Sequence, residues 1–193
     1  MIKAILFDCF GVLTESKWEG FVAEINPSKA PSAHDLHTAF NLGFITYNDF
    51  AEGLIELTGI ERSTIDTIFK NRQNYGKNTR LLELIKELHL KYKTGVISNV
   101  GSNWIREDFL SSDEIALFDD FVLSYEVQLG KPNPEIYRMA LDHLNVEPHQ
   151  AVFIDDNSSY CKAAEELGMR AILYKDFIQF KRELDGILAN ADD

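Results

Sequence analysis

The sequence has little of several residue types, and each scarcity excludes a class of protein. Two cysteines in 193 residues are too few for a disulfide scaffold, and neither stands in a Cys-x-x-Cys pair. Nineteen basic residues against 31 acidic ones give a net charge of −12. That balance argues against nucleic acid as a partner, because nucleic-acid binding depends on neutralising phosphates with basic side chains.

Long hydrophobic runs are also absent. The first apolar stretch stops at Asp8, so no signal peptide is visible, and no stretch reaches the length of a membrane span. We therefore expect a cytoplasmic protein without a membrane partner. The hydrophobic share of 45% and the 13 phenylalanines are nevertheless sufficient for a sizeable core.

Strand and helix patterns alternate along most of the chain. Residues 4–7 form an apolar run with high strand propensity, typical of a strand covered on both faces of a parallel sheet. Further strands are predicted at 93–97, 121–124, 151–154 and 171–174. Helices are predicted at 81–90, 103–110, 134–144, 158–167 and 177–188. This alternation predicts an α/β fold with a doubly wound parallel sheet.

A segment without strands interrupts this pattern after the first strand. Apolar residues at helical spacing predict four short amphipathic helices: over 16–25, after an N-cap at Ser32, from Thr46 to Gly59, and over 62–71. Thr46 and Asp49 have the spacing of a capping box. We therefore predict a small helical cap at 14–78, inserted into a core formed by 1–13 and 79–193.

Polar side chains follow several of the predicted strands. Because the carboxyl ends of parallel strands meet at one edge of a sheet, these side chains are expected to lie close together. Taken singly, each has an ordinary alternative as a helix cap, a turn residue or a solvated loop lysine. The combination in this order is more specific. The residues are Asp8, Ser98, Asn99, Lys131, Asp155 and Asp156.

Together these residues have the chemistry of phosphoryl transfer. Asp8 and Asp156 could hold Mg²⁺, which prefers carboxylate oxygens, waters and phosphate. Ser98 and Lys131 could bind the remaining phosphate oxygens and stabilise charge in the transition state. Asp8 could then attack phosphorus and form an aspartyl-phosphate that water hydrolyses. The expected partner is a small phosphorylated metabolite.

Four segments that carry these residues resemble the four motifs of the haloacid dehalogenase superfamily. They are AILFD (4–8), VISN (96–99), GKPNPEIY (130–137) and VFIDDN (152–157). The segment 14–78 resembles the small helical cap of that superfamily. Within it, GFITYNDF (43–50) resembles the cap of the sugar-phosphate phosphatase branch, as does the Asp-Asp-Asn form of the fourth motif.

The resemblance implies a Mg²⁺-dependent phosphatase that acts on a small phosphomonoester, such as a sugar phosphate, with Asp8 as the nucleophile. The metal ligands that it implies are Asp8, the main-chain carbonyl of Phe10 and Asp156, with Asp155 as a further candidate. It also implies Ser98 and Lys131 as phosphate ligands, and we predict a catalytic role for both. Asn99 is a further candidate for phosphate binding.

Two positions depart from the family pattern. Phosphatases of this family usually carry an acid–base aspartate where this sequence has Phe10, and the loss of such a group costs about 10²–10⁴-fold in rate. The smaller loss is expected for substrates with good leaving groups. Tyr160 stands where the family often has Asp or Asn.

Two alternatives to a phosphatase therefore remain open. The first is a dehalogenase-type hydrolase that attacks carbon through Asp8, because those enzymes carry an aromatic residue at the position of Phe10. The presence of both Asp155 and Asp156 favours a metal, and therefore phosphate, over this alternative. The second is a binding or regulatory protein in which Phe10 marks lost chemistry.

The cap segment contains two histidines and several aromatic residues. His34 and His37 share a predicted helix face, but no third metal ligand is evident, so a solvated surface is predicted for them. Trp18, Phe21 and Phe44 are predicted to belong to the cap core rather than to contact substrate.

Overall fold

The computed structural model describes residues 1–70 and 75–189. Five parallel strands form one sheet, in the order β3-β2-β1-β4-β5. The strands are β1 (Ala4–Phe7), β2 (Lys93–Ser98), β3 (Asp120–Leu123), β4 (Ala151–Asp155) and β5 (Arg170–Leu173). The first strand thus lies at the centre of the sheet, and the predicted doubly wound α/β class is confirmed.

Helices occupy both the segment after β1 and the connections between the later strands. Those between β1 and β2 are α1 (Trp18–Glu24), α2 (Ala30–Asn41), α3 (Tyr47–Thr58), α4 (Arg62–Phe69) and α5 (Thr79–Leu88). Those after β2 are α6 (Ser112–Ile115), α7 (Ser124–Val127), α8 (Pro134–Leu144), α9 (Ser158–Glu166) and α10 (Phe177–Ala189). No helix of the described residues is long and apolar enough to cross a membrane.

Alternate residues of β1 enter the two cores that flank the sheet. Ile5 and Phe7 pack in one apolar cluster with residues of α5 and α10. Ala4 and Leu6 pack in a second cluster with residues of α8 and α9. All four side chains are fully buried. Because both faces of this strand are covered, its sequence is an unbroken apolar run.

The helices α1 to α4, called here the helical segment 18–69, have an apolar cluster of their own. Phe50 is fully buried at its centre, and the rings of Phe40 and Phe69 lie 4.9 and 5.5 Å from it between centroids. The capping box of Thr46 and Asp49 begins α3, and Gly59, in the left-handed conformation, ends it, both as predicted. The division into a cap at 14–78 and a core stays a prediction. The predicted end of the fourth helix, Asn71, lies outside the described residues.

Some local predictions differ from the structure. The helix predicted over 103–110 is present, but it spans Ile105–Phe109 and is a π-helix. Ser124, predicted as the last residue of a strand, begins α7 instead. Phe44 is 61% exposed in the connection between α2 and α3 rather than in a core, whereas Trp18 and Phe21 are buried as predicted.

Candidate active site

Asp8 directly follows β1 at the carboxyl edge of the sheet. Its main-chain N–H donates to the carbonyl of Ile154 at 2.8 Å, which extends the pairing of β1 with β4 by one residue. The carboxylate Oδ1 accepts the N–H of Cys9 at 2.6 Å. Two main-chain contacts therefore fix both the position and the orientation of this side chain.

Lys131, which lies in the loop before α8, binds two carboxylates at once. Its Nζ lies 2.8 Å from Oδ1 of Asp8 and 2.6 Å from Oδ2 of Asp155, and the side chains of Lys131 and Asp155 are completely buried. Burial raises the pKa of Asp8 to about 7 against the opposing charge of Lys131. Burial also lowers the pKa of Lys131, but the charges of Asp155 and Asp8 outweigh it, so the net shift is upward.

Asp8, Asp155 and Asp156 each offer one carboxylate oxygen, and these three oxygens lie within 4.8 Å of one another. Although Asp156 is exposed to the cavity, desolvation of its carboxyl group and then the charge of Asp155 raise its pKa to about 6. Gly11 has a φ of 88°, and a Cβ atom there would collide with the Asp156 carboxylate. Three converging carboxylates fit Mg²⁺, a hard cation that prefers oxygen ligands.

Ser98 ends β2, the neighbour of β1, and is fully buried. Within residues 1–70 and 75–189, its Oγ finds no hydrogen-bond partner. An unsatisfied buried hydroxyl costs about 1–3 kcal/mol, so this atom is suited to a ligand that satisfies it. Ser98 does not itself reach the cavity wall. Its predicted contact with phosphate stays a prediction.

Asn99 holds the main chain of Lys131 through both ends of its side-chain amide. Oδ1 accepts the N–H of Lys131 at 2.8 Å, and Nδ2 donates to the carbonyl of Lys131 at 3.0 Å. This pair of hydrogen bonds ties the loop of Lys131 to the end of β2 and so positions the ammonium group. The predicted contact of Asn99 with phosphate also stays a prediction.

A cavity of about 920 Å³ lies between this edge of the sheet and the helical segment 18–69. Of the candidate site residues, Asp8, Asn99, Lys131 and Asp156 line it, and Asp155 lies behind them in contact with Lys131. The helical segment contributes Trp18, His34 and His37 to the opposite wall. The structure thus brings together the carboxylates and the lysine, as we predicted from the polar residues that follow the strands.

The two histidines of α2 were predicted on a solvated surface, and this is wrong for His37. The His37 ring stacks on Trp18 with 3.8 Å between centroids, and the Nε1–H of Trp18 donates to Nδ1 of His34 at 3.2 Å. His34 is exposed, but it faces the same cavity. Their three-residue spacing was the available sequence signal, whereas the contact with Trp18 joins two helices and was not visible.

Both departures from the family pattern place aromatic rings in the cavity wall. Phe10 stacks on Trp104 with 5.7 Å between centroids and an interplanar angle of 13°, and meets Tyr75 edge-on at 6.3 Å. The ring of Tyr160 lies 5.1 Å from Nζ of Lys131, and its hydroxyl accepts a hydrogen bond from Asn99 at 3.4 Å. The role of the Phe10 main-chain carbonyl as a metal ligand stays a prediction.

The chain resembles several characterised proteins. A HAD family enzyme of Bacteroides thetaiotaomicron has a similar structure (TM-score 0.73, 26% identity, 90% of this chain and 94% of that one). The same enzyme, solved as a complex with magnesium and inorganic phosphate, aligns with a TM-score of 0.70 at 25% identity over 91% of this chain and 95% of that one. A D-ribitol-5-phosphate phosphatase of the same organism is 26% identical over 204 residues, 97% of this chain and 99% of that protein.

A further set of relatives is much longer than this chain. The bifunctional epoxide hydrolase 2 of Sus scrofa is 32% identical over 103 residues, or 50% of this chain, and the match spans only 18% of that protein. The corresponding proteins of rat and mouse match over 19% of their length. The haloacid dehalogenase-like hydrolase family itself matches residues 2–168. This match, together with the parallel sheet and the carboxylates at its carboxyl edge, shows that the chain belongs to the haloacid dehalogenase-like hydrolase family.

Proposed function

We propose that the protein is a magnesium-dependent phosphatase that hydrolyses a small phosphomonoester through an aspartyl-phosphate on Asp8. The observation that carries this proposal is the position of Asp8, held at the cavity wall with Lys131 at 2.8 Å and with Asp156 close by. Relatives whose activity is known support the same class of reaction, since one is a D-ribitol-5-phosphate phosphatase and a similar structure holds magnesium and phosphate.

Each polar group has a role in this reaction. A carboxylate oxygen of Asp8 attacks phosphorus, and the bond from phosphorus to the leaving-group oxygen breaks. Water then attacks phosphorus, which frees Asp8 and leaves inorganic phosphate. The carboxylates of Asp8 and Asp156, with the Phe10 carbonyl, would hold Mg²⁺, whose charge screens the repulsion between Asp8 and a phosphate dianion.

Lys131 supplies a fixed positive charge at the phosphate position. Because Asp155 is fully buried and 2.6 Å from Nζ, we assign it first to orienting Lys131 and only second to the metal. Asn99 orients the same lysine through its main chain. A preorganised cation of this kind stabilises the charge that develops on phosphate oxygens in the transition state.

The helical segment 18–69 covers the cavity and sets the size of the substrate. We propose that it is a cap with the bounds 14–78. A volume of about 920 Å³ accommodates a small metabolite, and the opposite wall presents Trp18 and the two histidines of α2. Aromatic faces and hydrogen-bonding side chains suit a sugar phosphate or a compound of similar size.

Phe10 is the observation that favours a second candidate, a protein that binds a phosphorylated ligand without turning it over. A phenylalanine ring cannot transfer a proton, so this position contributes no acid–base catalysis. Attack on carbon is less favoured, because three converging carboxylates suit a cation and that reaction uses none.

Phosphate release from a panel of small phosphomonoesters, measured with and without Mg²⁺, tests the proposal. The decisive comparison is Asp8→Asn against Asp185→Asn, a matched change on the exposed face of α10, where Asp185 pairs with Lys181. We expect turnover that requires Mg²⁺, disappears in Asp8→Asn and is unchanged in Asp185→Asn. Phosphate-ligand binding without turnover would support the second candidate instead.

A further inference from the structure

The wall of the cavity next to Asp8 is aromatic and is fixed by packing. Phe10 lies two residues beyond Asp8, in a turn closed by the hydrogen bond from the N–H of Gly11 to the carbonyl of Thr14 at 2.6 Å. Its ring packs in parallel on Trp104, which in turn stacks on Phe109 at 4.8 Å between centroids. This stack fixes the Phe10 ring in the cavity wall, so the ring is a permanent part of the site.

Several protic side chains of the site are already engaged. The hydroxyl of Tyr75, beside Phe10, donates to the carbonyl of Ile68 at 3.2 Å. The ammonium of Lys131 is bound between Asp8 and Asp155, and these ion pairs keep its proton. The wall thus presents a hydrocarbon ring, rather than a proton donor, two residues from the nucleophile.

Lys17 brings a cation to the same region. The Nζ of Lys17 lies 4.6 Å from the centroid of the Tyr75 ring and 3.4 Å from the carboxylate of Glu15, and its side chain is 34% exposed. Lys17 also lines the cavity. A partly solvated ammonium on an aromatic wall attracts an anion that forms in the cavity.

We propose that Phe10 restricts the enzyme to phosphate compounds whose leaving group departs as a stable anion, such as acyl phosphates and anomeric sugar phosphates, rather than esters of ordinary alcohols. This inference rests on the proposed function. When the bond from phosphorus to the leaving oxygen breaks, its electron pair stays on that oxygen and no proton is delivered to it. A carboxylate tolerates this charge and meets Lys17, whereas an alkoxide is too basic to leave without a proton.

The test is a leaving-group series measured on the intact protein with Mg²⁺. It comprises acetyl phosphate, aryl phosphates of graded phenol acidity and glycerol phosphate. We expect kcat/KM to fall as steeply with leaving-group basicity as the uncatalysed hydrolysis of the same series. General acid catalysis contributes about 10²–10⁴-fold in rate. Without it, kcat/KM for glycerol phosphate should be lower than that for acetyl phosphate by at least about 100-fold. A flat dependence overturns the inference.

Two variants make the test specific to Phe10. Phe10→Asp introduces a proton donor, and Phe10→Asn has nearly the same shape without one. We expect the Asp variant to exceed the Asn variant about 10-fold or more on glycerol phosphate and to equal it on acetyl phosphate. Equal rates on both substrates contradict the inference, and if Phe10→Asp fails to fold, the wild-type series decides.

The series also separates this inference from the proposed function. If no member shows turnover that depends on Mg²⁺ and Asp8, the phosphatase proposal fails and this inference fails with it. If all members are hydrolysed at similar rates, the phosphatase proposal stands and only the role of Phe10 is wrong. A flat series that becomes steep in His34→Gln would identify that imidazole as the proton donor and likewise overturn the inference.

Discussion

The ammonium of Lys131 lies 2.8 Å from the Asp8 carboxylate in a site from which solvent is largely excluded. Asp155 contacts the same ammonium at 2.6 Å, so two carboxylates share one cation. Desolvation by burial, to which the charges of Asp155 and Asp156 add, therefore raises the pKa of Asp8 to about 7 although a lysine is in contact with it. Such a site gains stability from either a proton or a metal ion.

Replacing Lys131 with methionine should strongly destabilise the protein. Two buried carboxylates would lose their shared partner, and breaking a buried ion pair typically costs about 3–5 kcal/mol. The matched control is Lys162→Met on α9. The Lys162 side chain is 74% exposed and pairs with Glu166 at 3.7 Å, and an exposed ion pair of this kind contributes about 0–1 kcal/mol to stability. Urea unfolding without Mg²⁺ measures both. Similar losses for the two variants would mean that the buried contacts contribute little.

Ser98→Ala should reduce turnover without reducing stability. The hydroxyl has no partner within the described ranges, so its removal leaves no group unsatisfied. Ser124→Ala is the control, since its buried Oγ donates to the carbonyl of Asn41 at 2.5 Å and accepts the N–H of Val100 at 2.9 Å. Thermal unfolding should show a loss of about 1–3 kcal/mol only in Ser124→Ala. Full activity in Ser98→Ala would remove Ser98 from the phosphate site.

Gly11→Ala should weaken Mg²⁺ binding, because the new Cβ collides with the Asp156 carboxylate. Gly59→Ala is a matched control: its φ of 75° is similar to the 88° of Gly11, but nothing lies within 4 Å of its Cβ position. In both variants the alanine is held in the left-handed conformation, which lowers stability by about 1 kcal/mol. Calorimetric titration with Mg²⁺ should show reduced affinity in Gly11→Ala alone. Equal affinities would place the metal away from Asp156.

The metal-free protein should lose stability as the pH rises from about 4 to about 7. The pKa of Asp8 is raised from 3.8 to about 7, and that of Asp156 from 3.8 to about 6. Between the ordinary and the raised values the folded state binds more protons than the unfolded state, so the slope of unfolding free energy against pH is negative. Mg²⁺ replaces these protons and should therefore stabilise more at the upper end. Melting temperatures measured with and without Mg²⁺ across this pH range test the prediction. Stabilisation by Mg²⁺ that is equal at the lower and the upper pH would contradict it.

The features predicted well from sequence are those with a local cause. The run at 4–7 is apolar because both faces of β1 are covered, and the end of that run placed Asp8 at the sheet edge. The capping box at Thr46 and Asp49 is also a local pattern, and it begins α3 as predicted. Parallel strand direction then brought Lys131 and the carboxylates together without knowledge of any side-chain contact.

The features that were missed depend on contacts between distant segments. The hydrogen bonds of the Asn99 side chain to the main chain of Lys131 join separate elements, and so does the contact of Trp18 with His34. Residue spacing in the sequence does not reveal such contacts. The short helices were missed for another reason. The capping box of Ser111 and Glu114 that begins α6 was readable, but a four-residue helix leaves no periodic pattern to accompany it.

The central claim is that Asp8 itself carries the phosphoryl group during turnover. The most direct measurement is the mass of the peptide containing Asp8 after acid quenching of the Mg²⁺-loaded protein during hydrolysis of a substrate from the panel. The account predicts an added phosphoryl group on Asp8 that disappears on treatment with hydroxylamine and never forms in Asp8→Asn. Phosphate release that continues in Asp8→Asn, with no adduct on the wild-type peptide, would contradict it.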